Sequence, residues 1–167
     1  MASEAVKTRA LSAHVREELN HWIERFPEGR QRSAIIAGLR AAQHENDGYL
    51  TPELMDGVAA YLELPAIQVY EVATFYSMFE TRPVGRHSVS ICTNVSCMLR
   101  GAEDIVAHVE DKLGIVTGQS TLDGRIFLKQ EEECLAACGG APMMMVDHKY
   151  YENLSADDVD RILDELD

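Results

Sequence analysis

The residues of this sequence best suited to chemistry are its four cysteines, which form two close pairs. Cys92 and Cys97 lie in ICTNVSCMLRG with four residues between them, and Cys134 and Cys138 lie in CLAACGGAP with three between them. A gap of 36 residues separates the two pairs. Four thiolates on neighbouring loops can enclose a soft metal centre, either structural zinc or an iron–sulfur cluster. The spacing therefore predicts a thiolate-ligated metal site.

Cysteine spacing alone leaves the nature of this site open. Zinc sites commonly use tighter Cys-x2-Cys pairs, although spacers of up to about four residues occur. The wider pairs favour a two-iron cluster in which each iron takes two cysteines. Two other interpretations are four buried, unliganded cysteines and a disulfide redox pair, which the lack of Cys-x2-Cys disfavours. The small or polar residues Thr93, Asn94, Ser96, Gly139 and Gly140 would let backbone N–H groups approach the sulfur atoms.

Composition and charge indicate a globular protein that does not bind polyanions. The chain has 167 residues, 46% of them hydrophobic, and a formal net charge of −13. This charge repels nucleic acid and anionic lipid surfaces. The N-terminal segment lacks the apolar core of a signal peptide, and no stretch reaches the roughly 20 apolar residues of a membrane-spanning helix. We therefore expect a soluble, cytoplasmic protein with no nucleic-acid partner and no membrane insertion.

The first half of the sequence, from about residue 11 to residue 80, predicts a bundle of short helices. Ser12, Ser33 and Thr51 are typical N-caps, and apolar residues recur at helical spacing after each of them. The last helical segment, AIQVYEVATFYSMF, is apolar on most sides and is therefore expected to be buried. Its run VATFYSMF either contacts a partner or packs between the two halves of the chain.

The second half of the sequence mixes strands with helices. HSVSIC predicts a strand, followed by a helix whose buried stripe includes Leu99. RIFLKQ, MMMV and YYE predict three further strands, and Ser155 with Asp158 predicts a capping box at the last helix. The order of these elements predicts an α+β chain. We expect residues 1–83 to form an N-terminal helical bundle and residues 84–167 to form an α/β domain with helices packed on a sheet.

Motifs for nucleotide binding and catalysis are absent from the sequence. It contains neither GxGxxG nor GxxxxGK[ST], and its six histidines form no HExxH. His87 lies near the first cysteine pair, but a solvated histidine at a strand edge is favoured over a metal ligand. The methionines 143–145 are interpreted as packing residues of a strand rather than as soft metal ligands. We therefore predict no catalytic residues on this chain.

Several segments of the sequence resemble a known family of iron–sulfur proteins. The segments are CTNVSC, CLAACGGAPMM, YYENLS and EVATFYSMFETRPVGRHSV, and the resemblance extends from about residue 15 to the end of the sequence. They resemble the thioredoxin-like [2Fe-2S] ferredoxin subunit, the E subunit, of bacterial NADH:quinone oxidoreductase (respiratory complex I). The resemblance implies a helical bundle followed by a thioredoxin-like ferredoxin domain. It also implies one [2Fe-2S] cluster per chain, held by Cys92, Cys97, Cys134 and Cys138.

The same resemblance implies an electron-transfer function. Subunits of this family exchange electrons with the FMN of a partner subunit, which binds FMN and NADH and oxidises the NADH. The expected partners are that flavin subunit and other subunits of the peripheral arm, on the cytoplasmic side of the bacterial inner membrane. Similar subunits serve NAD-linked hydrogenases and formate dehydrogenases, so the parent complex stays open. A zinc-stabilised interaction module without a redox function is the alternative from a different class.

Overall fold

The computed structural model describes residues 11–129 and 134–167. The chain divides into two compact units, with the boundary between Pro83 and Val84. The described part of the first unit is helical, and the second unit combines a sheet with helices. The α+β class predicted from the sequence is therefore confirmed. None of the described helices is both long enough and apolar enough to cross a lipid bilayer.

Two helices of the first unit start at the N-caps that the sequence predicts. Its described elements are α1 (Ala13–Ile23), a 3-10 helix (Gln31–Ala34), α2 (Ile35–Glu45), α3 (Pro52–Tyr61) and α4 (Ala66–Phe75). The Oγ of Ser12 accepts a hydrogen bond from the Val15 N–H, and the Oγ1 of Thr51 accepts one from the Leu54 N–H. Each cap satisfies an amide that the first helical turn leaves unpaired, and is worth about 1 kcal/mol. Both predicted caps are confirmed.

Two predictions for this unit are wrong. Ser33 does not cap a helix, because it lies inside the 3-10 helix that runs directly into α2, whose start has no side-chain cap. The segment of α4 is not buried on most sides: Ile67 is 63% exposed and Phe75 is 80% exposed, whereas Val69 and Ala73 are buried. One helix turns a single stripe of residues toward a small core, so the apolar residues outside that stripe remain in solvent.

The second unit is built around one mixed sheet. Its described elements are β1 (His87–Ile91), α5 (Val95–Met98), α6 (Ala102–Leu113), β2 (Gln119–Ser120), β3 (Ile126–Lys129), a 3-10 helix (Cys138–Gly140), β4 (Met144–Val146), β5 (Lys149–Tyr151) and α7 (Ala156–Asp164). The strand order is β2-β3-β1-β4-β5. Strands β1 and β3 are parallel, and the other neighbouring pairs are antiparallel. The carboxyl ends of β1 and β3 therefore meet at the same edge of the sheet.

The strands predicted from RIFLKQ, MMMV and YYE are confirmed as β3, β4 and β5. Gln130, at the end of the first of these segments, lies outside the described residues. The helix predicted after Cys97 is interrupted by Gly101, whose φ of +86° belongs to the left-handed region that glycine favours. Leu99 therefore precedes α6 and is 74% exposed, so its predicted burial is wrong. Strand β2 was not predicted, because two residues are too few to show an alternating pattern.

One hydrophobic core joins the sheet to α6 and α7. Its buried residues are Val89, Ile91, Ile105, Val109, Ile126, Leu128, Met144, Val146, Leu154, Val159, Ile162 and Leu163. Asp160 on α7 lies 2.8 Å from His108 Nε2 and 3.3 Å from Lys112 Nζ, both on α6. The predicted capping box at the start of α7 is confirmed, since Ser155 and Asp158 bond each other's backbone amides. The core packs both helices on the sheet, and the contacts of Asp160 join the two helices to each other.

The end of the sheet opposite the β1 carboxyl terminus carries a charged cluster. Nδ1 of His87 lies 2.6 Å from Asp147 Oδ2, and its Nε2 lies 3.2 Å from Asp167 Oδ1. The Ser88 N–H donates to Asp147 Oδ1 at 2.9 Å. The hydrogen bond to Asp147 is the main cause that raises the pKa of His87 above its ordinary 6.5. His87 is thus a partly buried, ion-paired histidine at a strand start and not a solvated one.

Replacing Gly85 by alanine is expected to destabilise the second unit. An added Cβ would lie 2.5 Å from the Ile126 carbonyl carbon and 2.7 Å from the Phe127 nitrogen, and these backbone atoms cannot move aside cheaply. Overpacking of this kind costs about 1–3 kcal/mol. Hydrogen exchange followed by mass spectrometry should show faster exchange in β1 and β3. Gly139→Ala is the matched control, because a Cβ there meets nothing within 4 Å; equal exchange in both variants would contradict the prediction.

The contribution of His87 to the free energy of unfolding should decrease as pH rises. Because the folded-state pKa of His87 is raised, its stabilisation is complete below the unfolded value of 6.5 and is lost as pH rises through the folded value. The His87→Asn variant should therefore lose more unfolding free energy at about pH 5.5 than at about pH 8.5. Urea unfolding at both pH values measures this, with His148→Asn in the adjacent turn as the control. A loss that grows with pH would show that the sign is wrong.

Candidate metal centre

Cys92 and Cys97 lie at the end of β1 and inside α5, and both are buried. Cys92 is 2% exposed and Cys97 is 1% exposed. The Cys92 N–H donates to the Met143 carbonyl at 3.2 Å, which continues the pairing of β1 with the chain before β4. The Oδ1 of Asn94 accepts the Val95 N–H at 2.8 Å and caps the short helix that carries Cys97. Local backbone structure therefore fixes both thiols.

Cys134 and Cys138 form the exposed pair of the site. Their sulfur atoms lie 3.7 Å apart. The Ala136 N–H donates to the sulfur of Cys134 at 3.3 Å, and the positive φ of Ala136, 61°, turns the chain between the two cysteines. Cys138 begins the second 3-10 helix, in which the Gly140 N–H donates to the Ala137 carbonyl at 2.9 Å. This tight loop holds the second pair of thiols side by side.

The fold brings the two pairs together although 36 residues separate them in sequence. The thiols of Cys97 and Cys134 lie close enough to Cys92 to affect its pKa, and the charge of Cys138 affects the pKa of Cys97. Cys92 and Cys97 also share a small buried cluster with Leu135, which directly follows Cys134. The convergence of the four predicted site residues at one edge of the sheet is thus a feature of the structure.

Backbone amides near the sulfur atoms of the buried pair lower the pKa of these thiols, whereas burial raises it. Burial raises the pKa of Cys92, but the amides of Leu135 and Asn94, together with the thiols of Cys97 and Cys134, outweigh it, so this pKa lies below its ordinary value. Burial, together with the hydrogen bond from Cys92, raises the pKa of Cys97 to about 11, against a lowering contribution from the Met143 amide. The environment therefore stabilises one thiolate of the buried pair and opposes the second.

The exposed pair shows the same competition. The Ala136 amide lowers the pKa of Cys134, but the adjacent thiol of Cys138 and the charges of Cys138 and Cys92 outweigh it and raise the pKa. Four thiols this close repel one another when deprotonated, because like charges disfavour further ionisation. A bound cation removes that penalty, and thiols that coordinate a metal are deprotonated. The site therefore favours a positively charged, thiolate-binding occupant.

The donor set fits a tetrahedral, sulfur-ligated metal. Two thiolates about 2.3 Å from one tetrahedral metal stand roughly 3.8 Å apart, so the pair must already be close. The distance of 3.7 Å between the sulfurs of Cys134 and Cys138 meets this requirement. Among the described residues, no group of three or more His, Cys, Asp or Glu side chains has the arrangement that a single metal ion needs. The four cysteines are arranged as a buried pair and an exposed pair.

Some site contacts escape prediction from the sequence. Leu135, Ala136 and Met143 reach the sulfurs through their backbone amides, and residue type carries no signal for such contacts. Gly140 also packs closely on Glu152, where an added Cβ would lie 2.5 Å from the Glu152 Cδ. Met143 and Met144 are 1% and 0% exposed, which confirms their interpretation as packing residues.

The chain matches known proteins over most of its length. The sequence model of the thioredoxin-like [2Fe-2S] ferredoxin family matches residues 19–167. The NADH-quinone oxidoreductase E subunit of Rickettsia bellii (strain RML369-C) is 41% identical over 144 residues, which are 86% of this chain and 86% of the relative. The NADH-quinone oxidoreductase E 2 subunit of Rhizobium meliloti (strain 1021) is 43% identical over 150 residues, 90% of this chain and 87% of the relative. The resemblance inferred from the cysteine segments is confirmed.

A solved structure shares the fold. A chain of an NAD+-reducing [NiFe]-hydrogenase in the air-oxidised state superposes with a TM-score of 0.67 and 25% sequence identity. The superposition covers 83% of this chain and 24% of the hydrogenase chain. This chain therefore spans about a quarter of the length of the hydrogenase chain that it matches.

The structure predicts the order in which the thiols react in the metal-free protein. Iodoacetamide should modify the exposed Cys134 and Cys138 before the buried pair. Cys97 should react most slowly, because it is 1% exposed and its pKa of about 11 keeps the thiol protonated at neutral pH, whereas the thiolate is the nucleophile. Peptide mass spectrometry after timed labelling measures the order. Labelling in urea should remove the differences, and equal rates in the folded, metal-free protein would contradict the account.

Proposed function

Because this chain belongs to the thioredoxin-like [2Fe-2S] ferredoxin family, we propose that Cys92, Cys97, Cys134 and Cys138 hold one [2Fe-2S] cluster. The observation that carries the proposal is the proximity of the two cysteine pairs, since Cys92 and Cys97 share a buried cluster with Leu135, the neighbour of Cys134. Each pair would serve one iron, since the ligands of a two-iron cluster divide two and two. The buried pair anchors the site inside the domain, and the exposed pair forms its solvent side.

When bound, the cluster supplies a one-electron redox centre. The residues of this chain hold and tune it. The amides of Asn94, Leu135, Ala136 and Met143 lie within hydrogen-bonding reach of ligand sulfurs, where they stabilise negative charge. Burial of Cys92 and Cys97 keeps water from one side of the site. The amide contacts raise the reduction potential above that of a site without them, because they favour the more negative state.

We propose that the chain is the electron-transfer subunit of an NADH:quinone oxidoreductase. It would exchange electrons with the FMN of a partner subunit that binds and oxidises NADH, and the chain itself would carry no catalytic residue. Support comes from the two relatives at 41% and 43% identity, each matched over most of its length. The proposed place is the peripheral arm of the complex, with the other arm subunits, on the cytoplasmic side of a bacterial inner membrane.

A second candidate is the corresponding subunit or domain of an NAD-linked hydrogenase. The structural match to an NAD+-reducing [NiFe]-hydrogenase favours it. Its identity of 25%, against 41% for the Rickettsia relative, makes it the weaker candidate. Both candidates assign the same electron-transfer function to the cysteine site. Copurification distinguishes the two candidates: the chain should copurify with a quinone-reactive arm in the first case and with a hydrogenase in the second.

Replacing any one of the four cysteines by alanine should abolish the visible absorption of the purified protein. Each iron needs both of its thiolates, so one lost ligand should reduce bound iron and acid-labile sulfide to a small fraction of the wild-type content. The fluorescence of Trp22, the single tryptophan, should stay unchanged because it reports on the helical unit. A variant with full visible absorption would show that its cysteine is not a ligand. Wild-type protein with zinc and no sulfide would contradict the cluster.

The isolated chain should be unable to oxidise NADH. Hydride transfer delivers two electrons together, and a flavin is the cofactor that accepts a hydride and passes on single electrons. NADH should therefore leave the visible absorption unchanged until the flavin-bearing subunit is added, whereas dithionite should bleach it directly. Stopped-flow absorption measures both reactions. Rapid bleaching by NADH in a flavin-free preparation would reveal a nucleotide site on this chain and contradict its assignment as a pure electron-transfer subunit.

A further inference from the structure

Residues 152–154, the ENL of YYENLS, follow directly after strand β5. Strand β5 is antiparallel to β4, and β4 is antiparallel to β1, so β5 runs in the same direction as β1. The carboxyl end of β5 therefore lies at the edge of the sheet where β1 ends and Cys92 follows. The 152–154 segment carries no proposed cluster ligand, yet it reaches the edge where the four cysteines lie.

The 152–154 segment forms backbone hydrogen bonds with the chain that follows the last cysteine. The Asn153 N–H donates to the Gly140 carbonyl at 2.7 Å. The Leu154 N–H donates to the Pro142 carbonyl at 3.0 Å. Two consecutive amides of the segment therefore bind the loop that carries the last cysteine, two and four residues beyond it.

Side-chain packing brings the same two stretches of chain close together. Gly140 is buried, and an added Cβ there would lie 2.5 Å from the Cδ of Glu152 and 2.6 Å from its Cβ and Cγ. The Cβ of Glu152 is fixed to its backbone and cannot swing aside as the end of the side chain can. At the neighbouring Gly139, an added Cβ would meet nothing within 4 Å. Close approach of the two stretches therefore requires glycine at position 140 but not at position 139.

The 152–154 segment is itself anchored in the core of the second unit. Leu154 is 7% exposed and packs in the core that joins the sheet to α6 and α7. Ser155, the next residue, caps α7 through its capping box with Asp158. Cys138, in contrast, is exposed. An exposed loop has few packing contacts of its own, so hydrogen bonds to an anchored segment restrict its motion.

The contact depends on an uncommon backbone conformation at Asn153. Its φ is 52°, in the left-handed region, where a side chain crowds the backbone. Asparagine adopts this region more readily than most residues, and glycine adopts it without strain. The side chain of Asn153 is exposed, and its backbone N–H makes the hydrogen bond to the loop. The conformation of the backbone is therefore the property of position 153 on which the contact depends.

We propose that Asn153 is a positioning residue of the iron–sulfur site, because its left-handed backbone holds the loop that carries Cys138 in the position that this ligand needs. The inference rests on the proposed function, since Cys138 is one of the proposed cluster ligands. Asn153 acts on that ligand through Gly140, two residues further along the loop. Weakening the contact should make the cluster easier to lose while the second unit stays folded.

Asn153→Ala tests the proposal against His148→Ala as a matched control. His148 also has a positive φ, 69°, but it lies in the β4–β5 turn at the opposite end of the sheet, so alanine is strained there without touching the cysteine loop. Visible absorption measures the rate at which a chelator removes iron from the purified full chain. We expect this rate to rise at least about fivefold in Asn153→Ala and to stay within about twofold of wild type in His148→Ala.

Asn153→Gly separates the backbone of position 153 from its side chain. Glycine keeps the left-handed conformation and removes the side chain, so this variant should release iron at the wild-type rate. Release from Asn153→Gly as fast as from Asn153→Ala would overturn the proposal, because the side chain would then be the group that matters. Equal release by Asn153→Ala and His148→Ala would also overturn it, because the effect would then follow the stability of the whole unit.

Gly140→Ala tests the same contact from the loop, with a measurement that does not depend on the cluster. The added Cβ should separate the loop from Glu152 and break the hydrogen bond to Asn153, so the Asn153 amide should exchange at least about tenfold faster. Hydrogen exchange followed by mass spectrometry measures this, with Gly139→Ala as the control that should leave exchange unchanged. Equal exchange in the two variants would overturn the contact. A wild type without iron and sulfide would overturn the proposed function, and the exchange comparison would then decide whether Asn153 holds the loop.

Discussion

The parallel pairing of β1 with β3 is the constraint on which the site depends. The register runs from His87 opposite Ile126 to Ser90 opposite Lys129. Because the strands point the same way, the segment after β1 and the segment after β3 leave the sheet at one edge. The first carries Cys92 and Cys97, and the second leads to Cys134 and Cys138. Without this pairing the two cysteine pairs would have no reason to converge.

Four neighbouring thiols repel one another when they ionise, and backbone amides offset part of this repulsion. The amides of Leu135 and Asn94 lower the pKa of Cys92 against the effect of burial, whereas burial and the neighbouring thiol raise the pKa of Cys97. The site accommodates one negative charge readily and resists further ones. A cationic centre removes that resistance, so metal binding and the folded arrangement of these loops support each other.

Much of this arrangement could be predicted from residue types and spacing. Ser12, Thr51 and Ser155 act as helix caps in the structure because their side-chain oxygens accept an amide only three residues further along the chain, a contact that the local sequence largely determines. The cysteine pairs were recognisable because thiolate chemistry needs those side chains at those intervals. Whether the four cysteines are ligands stays a prediction that the geometry supports.

Other features depend on tertiary contacts that a sequence pattern does not record. The break at Gly101 places Leu99 outside the buried stripe predicted for it, since the left-handed turn separates α5 from α6. The exposure of Ile67 and Phe75 depends on how much core the first unit offers to α4. The sulfur contacts of Leu135 and Met143 involve only backbone amides. Periodicity reports which residues are apolar, but it does not report how much surface the neighbours can cover.

X-ray absorption at the metal edge of the purified, as-isolated protein tests the central claim most directly. If the two cysteine pairs hold a two-iron cluster, the iron-edge fine structure should show a shell of sulfur alone at about 2.3 Å and a second, short iron–iron distance. The scattering depends on the atoms around the metal and requires neither a partner nor activity. A single metal with four sulfur neighbours and no metal–metal distance, or a first shell containing nitrogen or oxygen, would contradict the account.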